Sequence, residues 1–233
     1  MAAVSETIVR EFFELLGFLV RQQRKHVTPG NRDAEVIDFF VWNPRPADGG
    51  PVPLAPTVEE LLRLERAVVV VKGWHTETFS VARLNASPEV FRFVEPAIFR
   101  RARREFGAGP QPARLLVVPA LPRDQALRRA SLDLLRAKGV DIVLPFRAVL
   151  AELVRRTKPH RNYQKSDLLQ IIRVLKHHDF IKEPQLELFA PRVRRRRAKA
   201  KKPAPGGTPE SLGPETPAEL RIPKSEPPPF RRP

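Results

Sequence analysis

One apolar run that ends in a lysine, RAVVVVKGWH at residues 66–75, constrains the fold of this chain more than any other stretch. Consecutive valines have a strong β propensity, and a strand without polar alternation is typical of the centre of a sheet that is covered on both faces. We therefore expect residues 67–74 to form a central strand. Lys72 then stands near the end of this strand, where its charge requires a partner or contact with solvent.

The residues before this run predict a helix followed by two further strands. Apolar side chains recur at helical spacing over residues 5–16, with Ser5 as a suitable N-cap and Gly17 as a suitable stop. Strands are then expected at 18–24 and 34–42. Together with the valine strand they predict a meander of three strands.

The second half of the chain alternates between helical and strand patterns. Residues 87–107 have a helical pattern that Pro96 is expected to kink or break. The later elements are expected at 114–118 (strand), 123–138 (helix), 140–146 (strand), 147–157 (helix) and 166–181 (helix). Because strands joined through helices become parallel neighbours, the pattern predicts an α/β fold with a mixed central sheet and helices on both faces.

The chain divides by composition into a core and two appendages. We assign residues 1–150 to the α/β core, which includes an insertion at 43–63. The Pro- and Gly-rich part of this insertion is expected to be exposed, and Thr57 and Glu60 have the capping-box spacing of a short helix. Residues 151–190 form a C-terminal helical extension. Residues 191–233 are basic, rich in proline and almost free of large apolar side chains, so we expect this tail to be disordered.

The charge of the chain points to a polyanionic partner. The formal net charge is +16 at pH 7. Residues 192–233 contain twelve Lys and Arg against four Glu, so half of the excess lies in the tail and half in the rest of the chain. DNA is the expected partner and RNA is not excluded. A GC-rich genome would also enrich arginine, alanine and proline, and this alternative stays open.

Composition also suggests a compartment. The chain has no cysteine, which excludes disulfides and thiolate metal sites and suits a reducing environment. The first twenty residues include Glu6, Glu11 and Glu14, unlike the apolar centre of a secretory signal. No stretch approaches the length of a membrane span. We therefore expect a soluble cytoplasmic protein.

A carboxylate inside an apolar strand is the main candidate for a functional group. Asp38 is flanked only by apolar residues in VIDFF, where a charge is costly unless it is paired, neutralised or bound to a metal. If the second and third strands are hairpin neighbours, Asp38 and Lys72 face each other near the strand ends. The residues alone allow either an ion pair with a purely structural role or a functional site.

These motifs resemble the restriction-endonuclease-like, PD-(D/E)XK nuclease superfamily over residues 5–146. The likeness lies in a first helix that ends in Gly-Phe (EFFELLGF), an acid in the second strand (EVIDFFVW) and a third strand that ends in lysine (VVVVKGW). A helix and a strand-helix-strand unit follow in the same order as in the family core. The resemblance implies a restriction-endonuclease-like core.

The resemblance also implies a magnesium site and its residues. Asp38 corresponds to the metal-binding aspartate, Lys72 to the catalytic lysine, and the Val71 backbone carbonyl to a further Mg²⁺ ligand. Hard oxygen ligands suit Mg²⁺, which would polarise the phosphoryl group and activate water for phosphodiester hydrolysis. In some members an acid of the first helix supports the site, and the candidates here are Glu6, Glu11 and Glu14.

The sequence departs from the family pattern at Val70, which stands where the second metal-binding acid is expected. Valine has no oxygen ligand, so two explanations remain. The acid has moved to another element, with Glu77 as the metal candidate and the further choices Glu60, Glu65 and Glu95. Alternatively, the fold has been kept without catalysis, and this second explanation is slightly favoured.

Basic groups outside the motif are candidates for nucleic-acid binding. They are Arg100, Arg101, Arg103 and Arg104 in FRRARRE, and Arg194, Arg195, Arg196 and Arg197 in the tail. A solvated face or a solubilising tail explains the same residues. His177 and His178 are adjacent, unlike the i,i+4 spacing of helical zinc ligands, so no metal role is expected for them.

Three functions therefore stay open from the sequence. The favoured one is nucleic-acid binding by a nuclease-like domain whose site is impaired or inactive. The first alternative is an active Mg²⁺-dependent DNA endonuclease with a relocated carboxylate. The second alternative is a protein-interaction scaffold in which the basic residues are incidental.

Overall fold

A mixed sheet of five strands forms the centre of the structure, a computed structural model that describes residues 2–22 and 36–181. The strands are β1 (Leu19–Gln22), β2 (Phe39–Trp42), β3 (Arg66–Val71), β4 (Ala113–Val118) and β5 (Ile142–Pro145), and their spatial order is their chain order. β2 is antiparallel to β1 and β3, while β3, β4 and β5 are parallel. The predicted α/β fold class with a mixed central sheet is confirmed.

Helices cover both faces of this sheet, as predicted. They are α1 (Ala2–Leu15), α2 (Val58–Leu61), α3 (Val81–Asn85), α4 (Pro96–Arg104), α5 (Gln125–Ala137), α6 (Phe146–Arg156) and α7 (Asp167–His177), with a 3₁₀ helix at Pro88–Val94. Side chains from α1, α6 and α7 share one apolar core with one face of the sheet. Side chains from α3, α4, α5 and the 3₁₀ helix share a second core with the other face.

The β3 strand explains why the valine run has no polar alternation. Ala67 and Val69 lie in the core on the α1 side, whereas Val68 and Val70 lie in the core on the α4 side. Because successive side chains of a strand point to opposite faces, a strand covered on both sides needs apolar residues at every position. The strand ends at Val71, three residues earlier than the sequence pattern suggested.

The first helix begins earlier than predicted, and this changes the position of Ser5. The helix starts at Ala2, because the alanines at positions 2 and 3 have the highest helix propensity, so Ser5 lies inside the helix and is not its N-cap. Ser5 is fully buried. The predicted stop is correct, because Gly17 has a φ of +91°, a left-handed conformation that favours glycine after a helix.

Proline and capping residues set several element boundaries in the middle of the chain. Pro96 separates the 3₁₀ helix from α4, as expected for a break. In the insertion, Thr57 and Glu60 form a complete capping box at the start of α2. Ser166 caps α7 by accepting a hydrogen bond from the Leu169 N–H.

The insertion between β2 and β3 is exposed only in part. Residues 44–51 are exposed, but Leu54 is buried and its carbonyl accepts a 2.7 Å hydrogen bond from the Val143 N–H of β5. The expectation of a wholly exposed insertion is therefore wrong at Leu54. This contact covers the outer side of β5, where an uncovered edge strand would otherwise be open to pairing.

Two predictions concern parts of the chain outside the described residues. The tail at 191–233 and its Arg194, Arg195, Arg196 and Arg197 lie there, as do residues 23–24 and 34–35 of the strands predicted at 18–24 and 34–42. The described residues 36–38 precede β2, so this strand begins later than predicted. Among the helices that the structure describes, none combines the length and the apolar character needed to cross a bilayer.

Candidate functional site

The residues that the sequence pattern singled out lie together at the edge of the sheet that is formed by the ends of the strands. β3, β4 and β5 end at this edge because they are parallel, and β2 begins there because it is antiparallel to β3. The register pairs Phe39 with Val69. Asp38, just before β2, therefore lies beside the end of β3, where Val71 and Lys72 leave the sheet.

Asp38 extends the ladder between β2 and β3 through both its backbone and its side chain. Its N–H donates to the Val69 carbonyl at 3.1 Å, and its Oδ2 accepts from the Val71 N–H at 2.7 Å. The residue is only 5 % exposed. A buried carboxylate is stabilised by such a backbone donor, so Asp38 has a structural partner at the position where the resemblance implies a metal ligand.

Lys72 leaves the sheet beside an aromatic ring. Its N–H donates to the Val117 carbonyl of β4 at 3.0 Å, and its Nζ lies 6.0 Å from the centroid of the Trp74 ring. The Arg83 guanidinium lies 5.2 Å from the same centroid, and Phe79 packs against the ring at 5.7 Å. Trp74 therefore covers the end of the core on this side, and its ring makes cation–π contacts with Lys72 and Arg83.

The side chain of Val70, which stands where the resemblance implies a second acid, lies in the core and not at this edge. Val70 is 1 % exposed and packs in the apolar core that also contains Phe40, Val68 and Leu116. The motif positions therefore do not fit the two-carboxylate magnesium site that the resemblance implies, because one of them is an apolar side chain in an apolar environment. Within residues 2–22 and 36–181, no group of three or more His, Asp or Glu side chains is placed to hold a metal ion.

The acids considered as replacements have other positions or other partners. The Glu77 carboxylate pairs with Arg83 at 3.2 Å, and the Glu77 N–H donates to the Trp74 carbonyl. Glu65 precedes β3, a strand of about 20 Å, so it lies at the end of the strand that is opposite to Lys72. Its carboxylate pairs with Arg66 at 3.4 Å. Glu60 belongs to the capping box of α2 in the insertion. Glu95 is an exposed residue just before α4.

The first helix contributes one carboxylate to this edge. Glu6 is 8 % exposed, and its Oε2 accepts a 3.2 Å hydrogen bond from Nε2 of Gln22, the last residue of β1. Glu11 and Glu14 lie farther along the helix and pair with Arg10 at 3.7 and 3.9 Å. Burial raises the pKa of Glu14 above its ordinary value. Of the three acids, Glu6 is the one whose side chain contacts the end of β1, which pairs with the start of β2 just after Asp38.

A serine and a histidine that sequence spacing did not connect fix the helix to the same edge. Ser5 Oγ and His75 Nε2 are 2.8 Å apart, and the His75 ring packs on Phe146 with centroids 4.5 Å apart. Ser5 and His75 are 70 residues apart, so no local pattern could predict the contact. Gly73 lies at the same contact, because a Cβ at this position would come within 2.6 Å of Ser5 Oγ.

The predicted basic helix is α4, and its two faces differ sharply. Ile98, Phe99 and Ala102 are buried against the sheet. The arginines Arg100, Arg101, Arg103 and Arg104 are all exposed, and the helix itself contains no acid. Arg100 Nε donates to the Pro96 carbonyl at 3.1 Å. The helix thus presents a concentrated positive face to solvent.

Comparison of the chain with protein-family models, curated proteins and solved structures finds no match.

Proposed function

We propose that the folded unit binds nucleic acid through the arginine face of α4 and does not hydrolyse it. The observation that carries this proposal is the set of exposed arginines on α4, namely Arg100, Arg101, Arg103 and Arg104. Their face is held rigidly because the opposite face of the helix is buried in the core. DNA is the proposed partner, and RNA is an alternative ligand for the same face. The proposal also includes a cytoplasmic location.

The absence of hydrolysis is proposed from the two motif positions. Val70 is buried among apolar side chains, and Asp38 gives an oxygen to the Val71 N–H. The order of helix, three strands, helix and strand, together with Asp38 and Lys72 at one edge, supports a restriction-endonuclease-like core as part of the proposal. On this view the core is a nuclease-like scaffold in which Asp38 and the end of β3 stabilise the sheet.

The physics of phosphate binding makes the proposal quantitative. Each arginine that neutralises a phosphate releases condensed counterions, so the logarithm of affinity falls with the logarithm of salt concentration by about 0.9 per phosphate contacted in duplex DNA. Four arginines on one helix should therefore contribute a large part of the measured slope. Sequence preference should be weak, because contacts to phosphates do not read bases.

The test compares two variants that lose the same charge at different places. One replaces Arg100, Arg101, Arg103 and Arg104 by alanine, and the control replaces Arg123, Arg129, Arg136 and Lys138, which are exposed on and beside α5. Fluorescence anisotropy of labelled duplex DNA is measured over a range of salt concentrations. The α4 variant should lose affinity, and its salt slope should fall by the equivalent of about two to four phosphate contacts. The control variant should keep most of the affinity and most of the slope. Equal losses in the two variants would show a net-charge effect and not a surface.

A second candidate function, metal-dependent hydrolysis, is favoured by one observation, the position of Glu6 near the strand end beside Asp38. Cleavage of plasmid DNA in Mg²⁺ or Mn²⁺ that is abolished in both Lys72→Ala and Glu6→Gln would establish it in place of the non-catalytic proposal. A protein that shows neither cleavage nor DNA binding at low salt would instead favour the interaction scaffold.

A further inference from the structure

The turn between α6 and α7, together with the end of α7, forms a second basic surface that the proposed function does not use. We define this turn surface by seven exposed residues: Lys158, His160, Arg161, Lys165, His177, His178 and Phe180. It combines cations with exposed aromatic rings, whereas the α4 face has arginines alone.

The rings of the turn surface lie close to one another. The centroids of His160 and His177 are 6.5 Å apart, and those of His177 and His178 are 5.0 Å apart. Phe180 is 79 % exposed immediately beyond them. Three imidazoles and a phenyl ring thus occupy one exposed region, although none of them is needed to fill the core.

Hydrogen bonds hold this region in a defined conformation. The Tyr163 hydroxyl accepts from the Lys158 N–H at 2.9 Å, and the Tyr163 N–H donates to Gln170 Oε1 at 3.1 Å. Lys176 Nζ donates to the Val154 and Thr157 carbonyls at 3.0 and 2.9 Å, which attaches the end of α7 to the end of α6. The His177 end of α7 and the turn that contains His160 are therefore fixed side by side.

The charge of the same region is positive. Residues 157–180 contain five Lys and Arg and two acids, Asp167 and Asp179. Arg161 lies over the Tyr163 ring at 5.9 Å from its centroid, so its guanidinium plane adds to the flat surfaces available. Cations placed beside exposed rings suit a ligand that offers phosphates and planar faces together.

We infer that the turn surface binds unpaired nucleotides, with the rings stacking on bases and Lys158, Arg161 and Lys165 contacting phosphates. Stacking requires bases whose faces are free, as in single strands, whereas the faces of a duplex are already stacked. The inference rests on the proposed function in taking nucleic acid as the partner. It adds a second surface and a preference for unpaired strands.

The experiment compares the full chain with a ring variant in which His160, His177, His178 and Phe180 are replaced by alanine. This variant loses no lysine or arginine. The control replaces Val4, Leu19 and Leu127 by alanine, because these side chains are also exposed but lie elsewhere. Circular dichroism and the unfolding midpoint should match wild type in both. Fluorescence anisotropy measures binding to a short single-stranded oligonucleotide and to its duplex. Co-sedimentation measures binding to phosphatidylserine vesicles.

The ring variant should lose about tenfold or more in affinity for the single strand and change duplex affinity by less than about twofold. Wild-type affinity of the ring variant for the single strand would overturn the inference, even if the α4 variant loses duplex binding as proposed. Loss of single-strand binding in the ring variant while the α4 variant binds normally would support the inference and overturn the α4 surface. Vesicle binding that exceeds oligonucleotide binding and is lost with the rings would overturn it in favour of a membrane.

Discussion

The Asp38 carboxylate accepts a 2.7 Å hydrogen bond from the Val71 N–H, so the acid just before β2 closes the ladder at the end of β3. The same carboxylate is the one that the nuclease resemblance assigns to magnesium. Its burial and its backbone donor give it a structural function that does not depend on any metal. The proposal of a non-catalytic module depends on this contact and on Val70.

Removing the Asp38 carboxylate should therefore destabilise the fold. Asp38→Ala leaves the Val71 N–H without its acceptor in a buried setting, which should cost about 1–3 kcal/mol in the free energy of unfolding. Asp38→Asn keeps an acceptor oxygen and should cost less. Urea unfolding followed by fluorescence measures both. If Asp38→Ala unfolds at the wild-type urea concentration, the hydrogen bond to Val71 is not important for stability.

An acid at position 70, as in the nuclease family that the sequence resembles, should destabilise the fold without creating a nuclease. Val70 is 1 % exposed among apolar side chains, so Val70→Asp places an unpaired carboxyl group in the core, and the cost should be several kcal/mol. Thermal unfolding and a DNA-nicking assay in Mg²⁺ measure the two outcomes. Val4→Asp, at a position that is 64 % exposed, is the matched control and should be nearly neutral. A stable Val70→Asp variant that nicks DNA would contradict the proposed inactive scaffold.

Sequence patterns predicted what depends on local spacing. The valine run gave the central strand because burial on both faces removes the need for polar alternation, and the Thr57–Glu60 spacing gave the capping box. They also placed Asp38 and Lys72 at one edge, since antiparallel pairing of two predicted strands brings their opposite ends together.

Contacts between distant segments were not accessible in this way. The start of α1 was misplaced because Ser5 is a common N-cap, whereas its hydroxyl is used by His75 from another element. Likewise, the packing of Leu54 against β5 depends on the path of a proline-rich loop, and hydrophobic periodicity in the sequence does not indicate that path. The sequence alone does not distinguish Glu6 from Glu11 and Glu14, because the difference depends on the phase of the helix and on the position of Gln22.

A buried glutamate on α6 should make stability depend on acidic pH. Burial raises the pKa of the Glu152 carboxyl, but hydrogen bonds and charges from Arg155 and Arg156 outweigh burial and hold that pKa below its ordinary value. Because the folded-state pKa is lowered, the stabilisation is complete above about pH 4.3, the usual unfolded value, and is lost as the pH falls through the folded-state pKa. The free energy of unfolding, measured by urea titration at a series of pH values, should fall across this window.

Replacement of Glu152 tests the origin of that pH dependence. Glu152→Gln should cost about 1–3 kcal/mol near neutral pH, because it removes hydrogen bonds between charged groups, and should flatten the acidic slope. Glu59→Gln is the control, since Glu59 is 75 % exposed at its side chain and only 4.0 Å from Arg155. A slope that persists unchanged in Glu152→Gln would assign it to other carboxylates.

The close approach of Gly73, just after β3, to Ser5 of α1 predicts that a larger residue at position 73 destabilises the fold. A Cβ at position 73 would lie 2.6 Å from Ser5 Oγ and 3.2 Å from Ser5 Cβ, and fully buried Ser5 has no room to withdraw. Gly73→Ala should therefore cost about 1–3 kcal/mol through overpacking. Gly50→Ala is the matched control, because nothing lies within 4 Å of the added Cβ there. Ser5→Ala removes the closer of the two clashing atoms, so the double variant should recover part of the loss in urea unfolding. An additive double variant would mean that Gly73 is constrained by its backbone and not by Ser5.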